Sequence, residues 1–282
     1  MPVRTIAVVG AGTMGNGIAQ VAGVAGLGVT LIDVNDAAVQ KGLDTVRSNL
    51  ARIVARGKAT EADKEAALGL LRGTTALDDV ASADLVIEAA TENFELKVNL
   101  LKRISALVAA ETIVASNTSS ISITKLASVV SHPDRFIGMH FFNPVPIMPL
   151  VEIVRGLQTR DTTHDTIEAL ASTLGKKPIT VKSAPGFVVN RILLPMINEA
   201  FFVLAEGNAS ATEIDEGMKL GCNHPIGPLA LADLVGLDVV LAVMQTIHDD
   251  FADSKYRPCP LLREMVAAGY LGRKTGRGVY RY

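Results

Sequence analysis

The chain has 282 residues, 49% of them hydrophobic and 20% charged, enough for about two domains at roughly 150 residues each. That apolar content supports a large core and excludes disordered, collagen-like and coiled-coil architectures. With 27 Lys and Arg against 29 Asp and Glu the formal charge is −2. No block of like charge stands out, so a nucleic-acid surface is not expected.

The chain opens Met1-Pro2-Val3-Arg4 and passes at once into Ile6-Ala7-Val8-Val9, a strand pattern rather than a secretory leader. With Thr5–Val9 as the first strand, apolar β-branched runs follow at Val29–Asp33, Leu85–Ala89, Ile113–Ser116 and Phe136–His140. Further strands are expected at Val151–Val154 and Ile179–Val181. Helical stretches lie between them; in Phe94–Val108 apolar residues recur every three or four positions. Strands apolar throughout and separated by helices imply a mostly parallel sheet covered on both faces, the doubly wound α/β arrangement. From Phe187 to Glu206 a mostly apolar helix is expected, closed by Gly207 and kinked or restarted at Pro195. Apolar on nearly every side, it belongs between other elements or in a subunit interface. Helices are then expected over Thr212–Leu220, Leu229–Phe251 and Leu261–Ala268, with no strand among them. Ala184-Pro185-Gly186 marks the change of pattern. The expected division is an α/β domain over residues 1–185 and an all-helical domain over 186–282.

The remaining composition narrows the setting. Cys222 and Cys259 are too few and too far apart for a disulfide framework or a thiolate metal site, which points to a reducing, cytoplasmic compartment. No apolar run approaches the ~20 residues of a membrane span, so no membrane partner is expected. The absence of Trp and the 4% aromatic content argue against a stacking platform for single-stranded nucleic acid.

Gly10-Ala11-Gly12-Thr13-Met14-Gly15 is the sharpest local signal, a G-x-G-x-x-G after a strand and at the opening of a helix that runs to about Val24. Gly10 permits the tight turn, Gly12 lets backbone approach a pyrophosphate, and Gly15 lets the helix pack against the strand. The helix N-terminus supplies N–H groups and a positive dipole end for phosphates. Asp33 closes the next strand 18 residues beyond Gly15, where a carboxylate bonds both ribose hydroxyls of NAD and repels a 2′-phosphate. No arginine follows within seven residues, so NAD is expected rather than NADP.

Ligands of a doubly wound sheet bind at the carboxyl ends of its strands, and two such ends carry polar groups. Ile113–Ser116 runs into Asn117-Thr118-Ser119-Ser120, and Phe136–His140 into Phe141-Phe142-Asn143-Pro144. His140 is the one histidine of five at such an end, and an imidazole, titrating near 6.5, suits proton transfer at neutral pH. A histidine among phenylalanines also reads as a structural residue. Glu152, in the next strand, orients the imidazole and favours its charged form if that strand returns beside the first; otherwise it reads as a salt-bridged surface residue. Asn117 and Ser119 either cap a helix beginning near Ile121 or donate to a substrate oxygen. Asn190, a polar residue in an apolar helix, either satisfies backbone or faces a cleft. Between Lys41 and Lys64 six basic residues stand against three acidic ones, with Arg52 and Arg56 on one helical face. They form either a solvated face or a second phosphate site. Nothing in the sequence is spaced to hold a metal.

Taken together, Val9–Gly15, Ser116–Ser120, the His140-Phe141-Phe142-Asn143-Pro144-Val145-Pro146 run and Pro185-Gly186-Phe187-Val188-Val189-Asn190-Arg191 resemble the (S)-3-hydroxyacyl-CoA dehydrogenase family. The tail Gly272-Arg273-Lys274-Thr275-Gly276-Arg277-Gly278-Val279-Tyr280 resembles that family's ending. The resemblance covers essentially the whole chain, with the motifs in the family's order. It implies a Rossmann-like domain followed by a helical domain that forms a homodimer. It implies NAD as cofactor, cradled by Gly10, Ala11, Gly12, Thr13, Met14 and Gly15, with Asp33 on the adenosine ribose. His140 becomes the catalytic acid/base, Glu152 its orienting partner, and Ser119 and Asn190 the holders of the substrate's C3 oxygen. Glu92, Lys97, Asn117, Ser119, Asn143 and Lys274 fall on cofactor-contact positions. The family places a serine and a lysine against CoA in the helix after Asp33; the nearest matches here are Asn49, Arg52 and Arg56.

At this single-enzyme length the resemblance is strongest to the short-chain bacterial branch, whose substrate pair is 3-hydroxybutyryl-CoA and acetoacetyl-CoA. Longer 3-hydroxyacyl-CoA substrates, a non-CoA hydroxy acid and a non-catalytic NAD-binding module are the alternatives. Against the last stand His140, Glu152, Ser119 and Asn190 together, since binding alone needs none of them.

Overall fold

A computed structural model describes residues 3–282. The chain forms two compact units that divide between Ser183 and Ala184.

The first unit carries eight strands: β1 (Thr5–Val9), β2 (Gly28–Ile32), β3 (Leu71–Thr74), β4 (Leu85–Glu88), β5 (Ile113–Ser116), β6 (Phe136–Phe141), β7 (Leu150–Arg155) and β8 (Lys177–Lys182). They form one sheet in the order β3-β2-β1-β4-β5-β6-β7-β8. Neighbours are parallel except β6 and β7, which run antiparallel. All of β4, β5 and β6 is buried, as it must be when helices cover both faces of a parallel sheet. The helices are α1 (Thr13–Val24), α2 (Asp36–Ala55), α3 (Glu61–Gly69), α4 (Phe94–Leu107), α5 (Ile123–Ala127) and α6 (Asp161–Thr173). Side chains start several of them: Asn35 accepts from Ala38 N, Asn93 from Leu96 N, and Thr60 forms a capping box with Asp63.

One strand escapes the sequence pattern. β3, Leu71-Arg72-Gly73-Thr74, sits at the sheet's edge and is only partly buried. An edge strand lacks the continuous apolar run that marks the interior ones. Chain order reverses direction in the sheet between β1 and β4, so the crevice outside their carboxyl ends is the topological switch point where such sheets take ligands.

The second unit is all helical: α7 (Val189–Ala205), α8 (Ala211–Cys222), α9 (Pro228–Val235), α10 (Leu237–Phe251) and α11 (Pro260–Ala267). Its core gathers Leu194, Ile197, Phe201, Leu229, Val240 and Met244, among others. Two expectations are corrected here. No new helix starts at Pro195: α7 runs through it as one helix, and burial of Leu194, Ile197 and Phe201 around it outweighs the one backbone hydrogen bond a proline removes. Leu229–Phe251 is two helices rather than one, bent by 99° at Gly236, whose φ of +104° no helix interior accommodates. Among the described residues no single helix is long and apolar enough to cross a membrane.

Candidate active site

The glycine turn joins β1 to α1 as tightly as its chemistry allows. Gly10 has φ +109°, and a Cβ there would lie 2.6 Å from the Ala89 carbonyl oxygen; a Cβ on Gly15 would come within 1.7 Å of the Gly10 oxygen. A Cβ on Gly12, by contrast, would meet nothing within 4 Å, so this residue presents bare backbone to open space. No side chain caps α1 and its first turn holds no acid, leaving its leading N–H groups and dipole for an anion. Asp33 braces the turn: its Oδ2 accepts from Ala11 N at 2.6 Å and its Oδ1 from Val34 N at 2.7 Å. Beside it opens a cavity of about 750 Å³ lined by Gly10, Gly12, Asp33, Leu77, Leu100 and Arg103. An open glycine turn, a carboxylate beside it and an apolar slot on one crevice fit an adenine dinucleotide.

The strand after Phe141 does return beside its predecessor. In the β6–β7 register His140 stands directly opposite Glu152, and Nδ1 of His140 lies 2.6 Å from Oε2 of Glu152. Both are buried, Glu152 completely, and the Phe142 ring packs 4.5 Å from the imidazole. In the neutral tautomer that keeps its proton on Nδ1, the imidazole presents Nε2 as acceptor. A buried carboxylate fixing that tautomer makes the pair competent for general acid–base work.

Between β4, β5 and α4 lies a polar network that sequence reading only half found. Glu92 Oε1 accepts from the Thr118 hydroxyl at 2.6 Å, from Ser119 N at 2.9 Å, and from Ser120 N and the Ser119 and Ser120 hydroxyls. Burial pushes the Glu92 carboxyl up, but the Lys97 ammonium and these donors outweigh it and hold the group below the usual carboxylate range. Lys97 is itself buried, its Nζ 2.6 Å from Glu88 Oε1. Glu88 Oε2 accepts from the Ser116 hydroxyl at 2.6 Å. Glu88 was not singled out from the sequence; its signal was an ionisable residue closing the apolar run Leu85-Val86-Ile87. Asn117 and Ser119 do not cap the following helix, which starts two residues later than expected and is capped by Ser122. Asn117 Oδ1 instead accepts from Phe141 N at 3.0 Å, tying the end of β5 to the strand of His140.

The other expected residues fall in separate places. Asn143 lines a cavity of about 410 Å³ together with Gly12, Asp33, Lys41 and Asn49. Asn49 and Arg52 share a neighbouring hollow of about 560 Å³ with Lys41 and Ser48, which Arg56 does not line. Lys41 is the addition that sequence reading left among the general basic residues. In the second unit, Asn190 is half-buried on α7, and Lys274 Nζ grips both carboxylate oxygens of Asp238 at 2.6 and 2.7 Å. On α6, His164, Asp165 and Glu168 bring three possible ligand atoms within 4.8 Å, with the imidazole bonded to Asp165 and Thr180.

A doubly wound sheet with an open dinucleotide cradle at its switch point and a buried His–Glu pair on the same edge defines an NAD-dependent dehydrogenase. Residues 5–184 match the 3-hydroxyacyl-CoA dehydrogenase NAD binding domain and residues 186–282 its C-terminal domain. The chain therefore belongs to the 3-hydroxyacyl-CoA dehydrogenase family. It is 51% identical to a 3-hydroxybutyryl-CoA dehydrogenase of Bradyrhizobium diazoefficiens, over 99% of this chain and 96% of that one. It is 50% identical to a probable 3-hydroxybutyryl-CoA dehydrogenase of Bacillus subtilis, over 100% and 98%. The crystal structure of (S)-3-hydroxybutyryl-CoA dehydrogenase from Ralstonia eutropha is 68% identical and superposes with a TM-score of 0.97, covering 99% of both chains.

Proposed function

We propose that this dehydrogenase interconverts (S)-3-hydroxybutyryl-CoA and acetoacetyl-CoA, with His140 as the acid/base. The observation that carries the reading is the 2.6 Å contact of His140 Nδ1 with Glu152, at the carboxyl end of β6 and joined through Asn117 to the end of β5. NAD, when bound, supplies the hydride acceptor or donor for carbon C3. His140 takes the C3 hydroxyl proton on Nε2 during oxidation and returns it during reduction. Glu152 holds the ring and stabilises the imidazolium charge as it forms. The Ser119 hydroxyl, which donates to Glu92 at 3.2 Å, turns to the C3 oxygen when substrate is present. Asn190 is assigned to the same oxygen and Lys274 to the cofactor, as the family resemblance implies. Asn49, Arg52 and Lys41 around one hollow support an anchor for the CoA phosphates; Arg56, outside it, is left with a solvated role. The names of the similar proteins support the four-carbon acyl group. We place the enzyme in the cytoplasm as a homodimer.

The test follows NADH absorbance with acetoacetyl-CoA, with free acetoacetate and NADPH in parallel. Rapid oxidation with the thioester and NADH alone is the expected result. Equal rates with free acetoacetate remove the CoA anchor, and no turnover with the thioester despite NADH binding removes the substrate assignment.

A further inference from the structure

Glu88 and Lys97 are a buried ion pair, the carboxylate fully enclosed and the ammonium 1% exposed. Such a pair is tolerated only when its remaining lone pairs and protons are engaged. Here they are: Glu88 Oε1 also accepts from Ala90 N at 2.7 Å, Oε2 from the Ser116 hydroxyl, and Lys97 Nζ also donates to the Ala90 carbonyl at 3.1 Å. Stability alone does not call for this arrangement, because an apolar pair of similar volume is often at least as stable.

The charges, moreover, do not cancel. Glu92 Oε2 stands 3.4 Å from the same ammonium, so two carboxylates share one cation and the cluster carries a formal charge of −1. Ala89, Ala90 and Thr91, which run between the two acids, line the cofactor cavity. The charged residues lining that cavity directly, Asp33 and Arg103, are of opposite sign. The wall is therefore left with one net negative charge. The two redox forms of the cofactor differ in their response to it, since the oxidised nicotinamide ring is a pyridinium cation and the reduced ring is neutral.

We propose that Glu88 is a positioning residue of the cofactor site: it fixes Lys97, Ala90 and Ser116, and the net negative charge it gives the Glu88–Lys97–Glu92 cluster favours the oxidised cofactor over the reduced one. The inference rests on NAD binding and not on the identity of the acyl-CoA, so it stands or falls separately from the substrate assignment. At an effective dielectric constant of about 20, a unit charge beside a binding site corresponds to on the order of tenfold in a dissociation constant.

Dissociation constants for NAD⁺ and for NADH are measured by calorimetry on the full chain, without substrate, for the wild type and for Glu88→Gln, Glu88→Asp and Glu92→Gln. The ratio Kd(NAD⁺)/Kd(NADH) is expected to rise on the order of tenfold in both glutamine variants. In Glu88→Asp, which keeps the charge but shortens the reach, both constants rise and the ratio stays near that of the wild type. Loss of a merely structural contact weakens both forms alike, so an unchanged ratio in the glutamine variants overturns the proposal even where both constants rise. Should Glu88→Gln fail to fold, the Glu92→Gln ratio decides.

Discussion

His140 and Glu152 face one another across the one antiparallel seam of the sheet, and their separation in sequence is what made the pair only conditionally legible. A histidine at a strand's carboxyl end can be read locally; that the chain turns back over Pro144, Pro146 and Pro149 to set Glu152 opposite depends on a loop whose path no periodicity encodes. If the imidazole is the proton carrier, His140→Gln should lower kcat by at least about 100-fold, the lower range for general acid–base catalysis, with the NADH dissociation constant unchanged. Steady-state rates beside a binding titration check this, and retained turnover removes His140 from the chemistry. Glu92 predicts a pH effect of another kind. Burial, then the Lys97 charge and the hydroxyl and amide donors, set its carboxyl, and the net shift is downward from 4.5. A carboxyl lowered on folding adds stability that is fully present above its unfolded pKa and is lost as pH falls through the folded one. Urea midpoints measured from pH 6 downward should therefore fall less steeply below about pH 4.5 in Glu92→Gln than in the wild type. Parallel curves would show that these donors do not favour the charged form.

At the scale of elements, the features that were legible are those whose cause is local. Apolar runs bounded by turns gave the interior strands, and the glycine spacing gave the β1–α1 cradle. What was missed has a longer-range cause: β3 is held as a strand by pairing with β2 rather than by its own Leu-Arg-Gly-Thr composition, and α7 stays whole through Pro195 because its neighbours bury it. Gly236 could have been read, since a glycine inside an apparently continuous helical pattern signals a possible end. The cradle itself offers a sharp test of close packing. An alanine methyl at position 15 would sit 1.7 Å from the Gly10 oxygen, and backbone cannot give way as a side chain end can. Gly15→Ala must lift α1 from the turn, so a loss of about 1–3 kcal/mol is expected from overpacking. It should be accompanied by a more than tenfold weakening of NADH binding, about 1.4 kcal/mol or more, because the phosphate-facing N–H groups move with the helix. Thermal melts and NADH titration together check it; a stable variant that binds normally would show that the helix need not approach so closely.

For the molecule as a whole, the last segment of chain is secured by contacts that no local pattern announces. Asp233 lies in the apolar sequence Pro228-Leu229-Ala230-Leu231-Ala232-Asp233 and is 1% exposed. Its Oδ1 accepts from Val279 N, and its Oδ2 from Tyr280 N and the Tyr282 hydroxyl, all between 2.9 and 3.0 Å. The approach is close enough that a Cβ on Gly278 would fall 1.9 Å from Oδ1 and one on Gly272 would fall 2.3 Å from the Asp233 carbonyl oxygen, which accounts for two glycines of the tail by packing. Asp215 completes the anchor, accepting from Leu229 N, Ala230 N and the Tyr280 hydroxyl. Burial and then the Asp215 hydrogen bond raise the Tyr280 phenol well above its ordinary value, which favours its protonated, donating form. Removing the Asp233 carboxylate leaves two backbone N–H groups without their acceptor, at about 1–3 kcal/mol for each that remains enclosed. Asp233→Ala should consequently lower the unfolding free energy by about 3 kcal/mol and expose residues 272–282 to proteolysis before the rest of the chain. Urea denaturation and a timed digest read the two effects independently. A variant within about 0.5 kcal/mol of the wild type, the range of an ordinary surface substitution, would mean that the tail is held by its tyrosines and glycines rather than by the buried carboxylate.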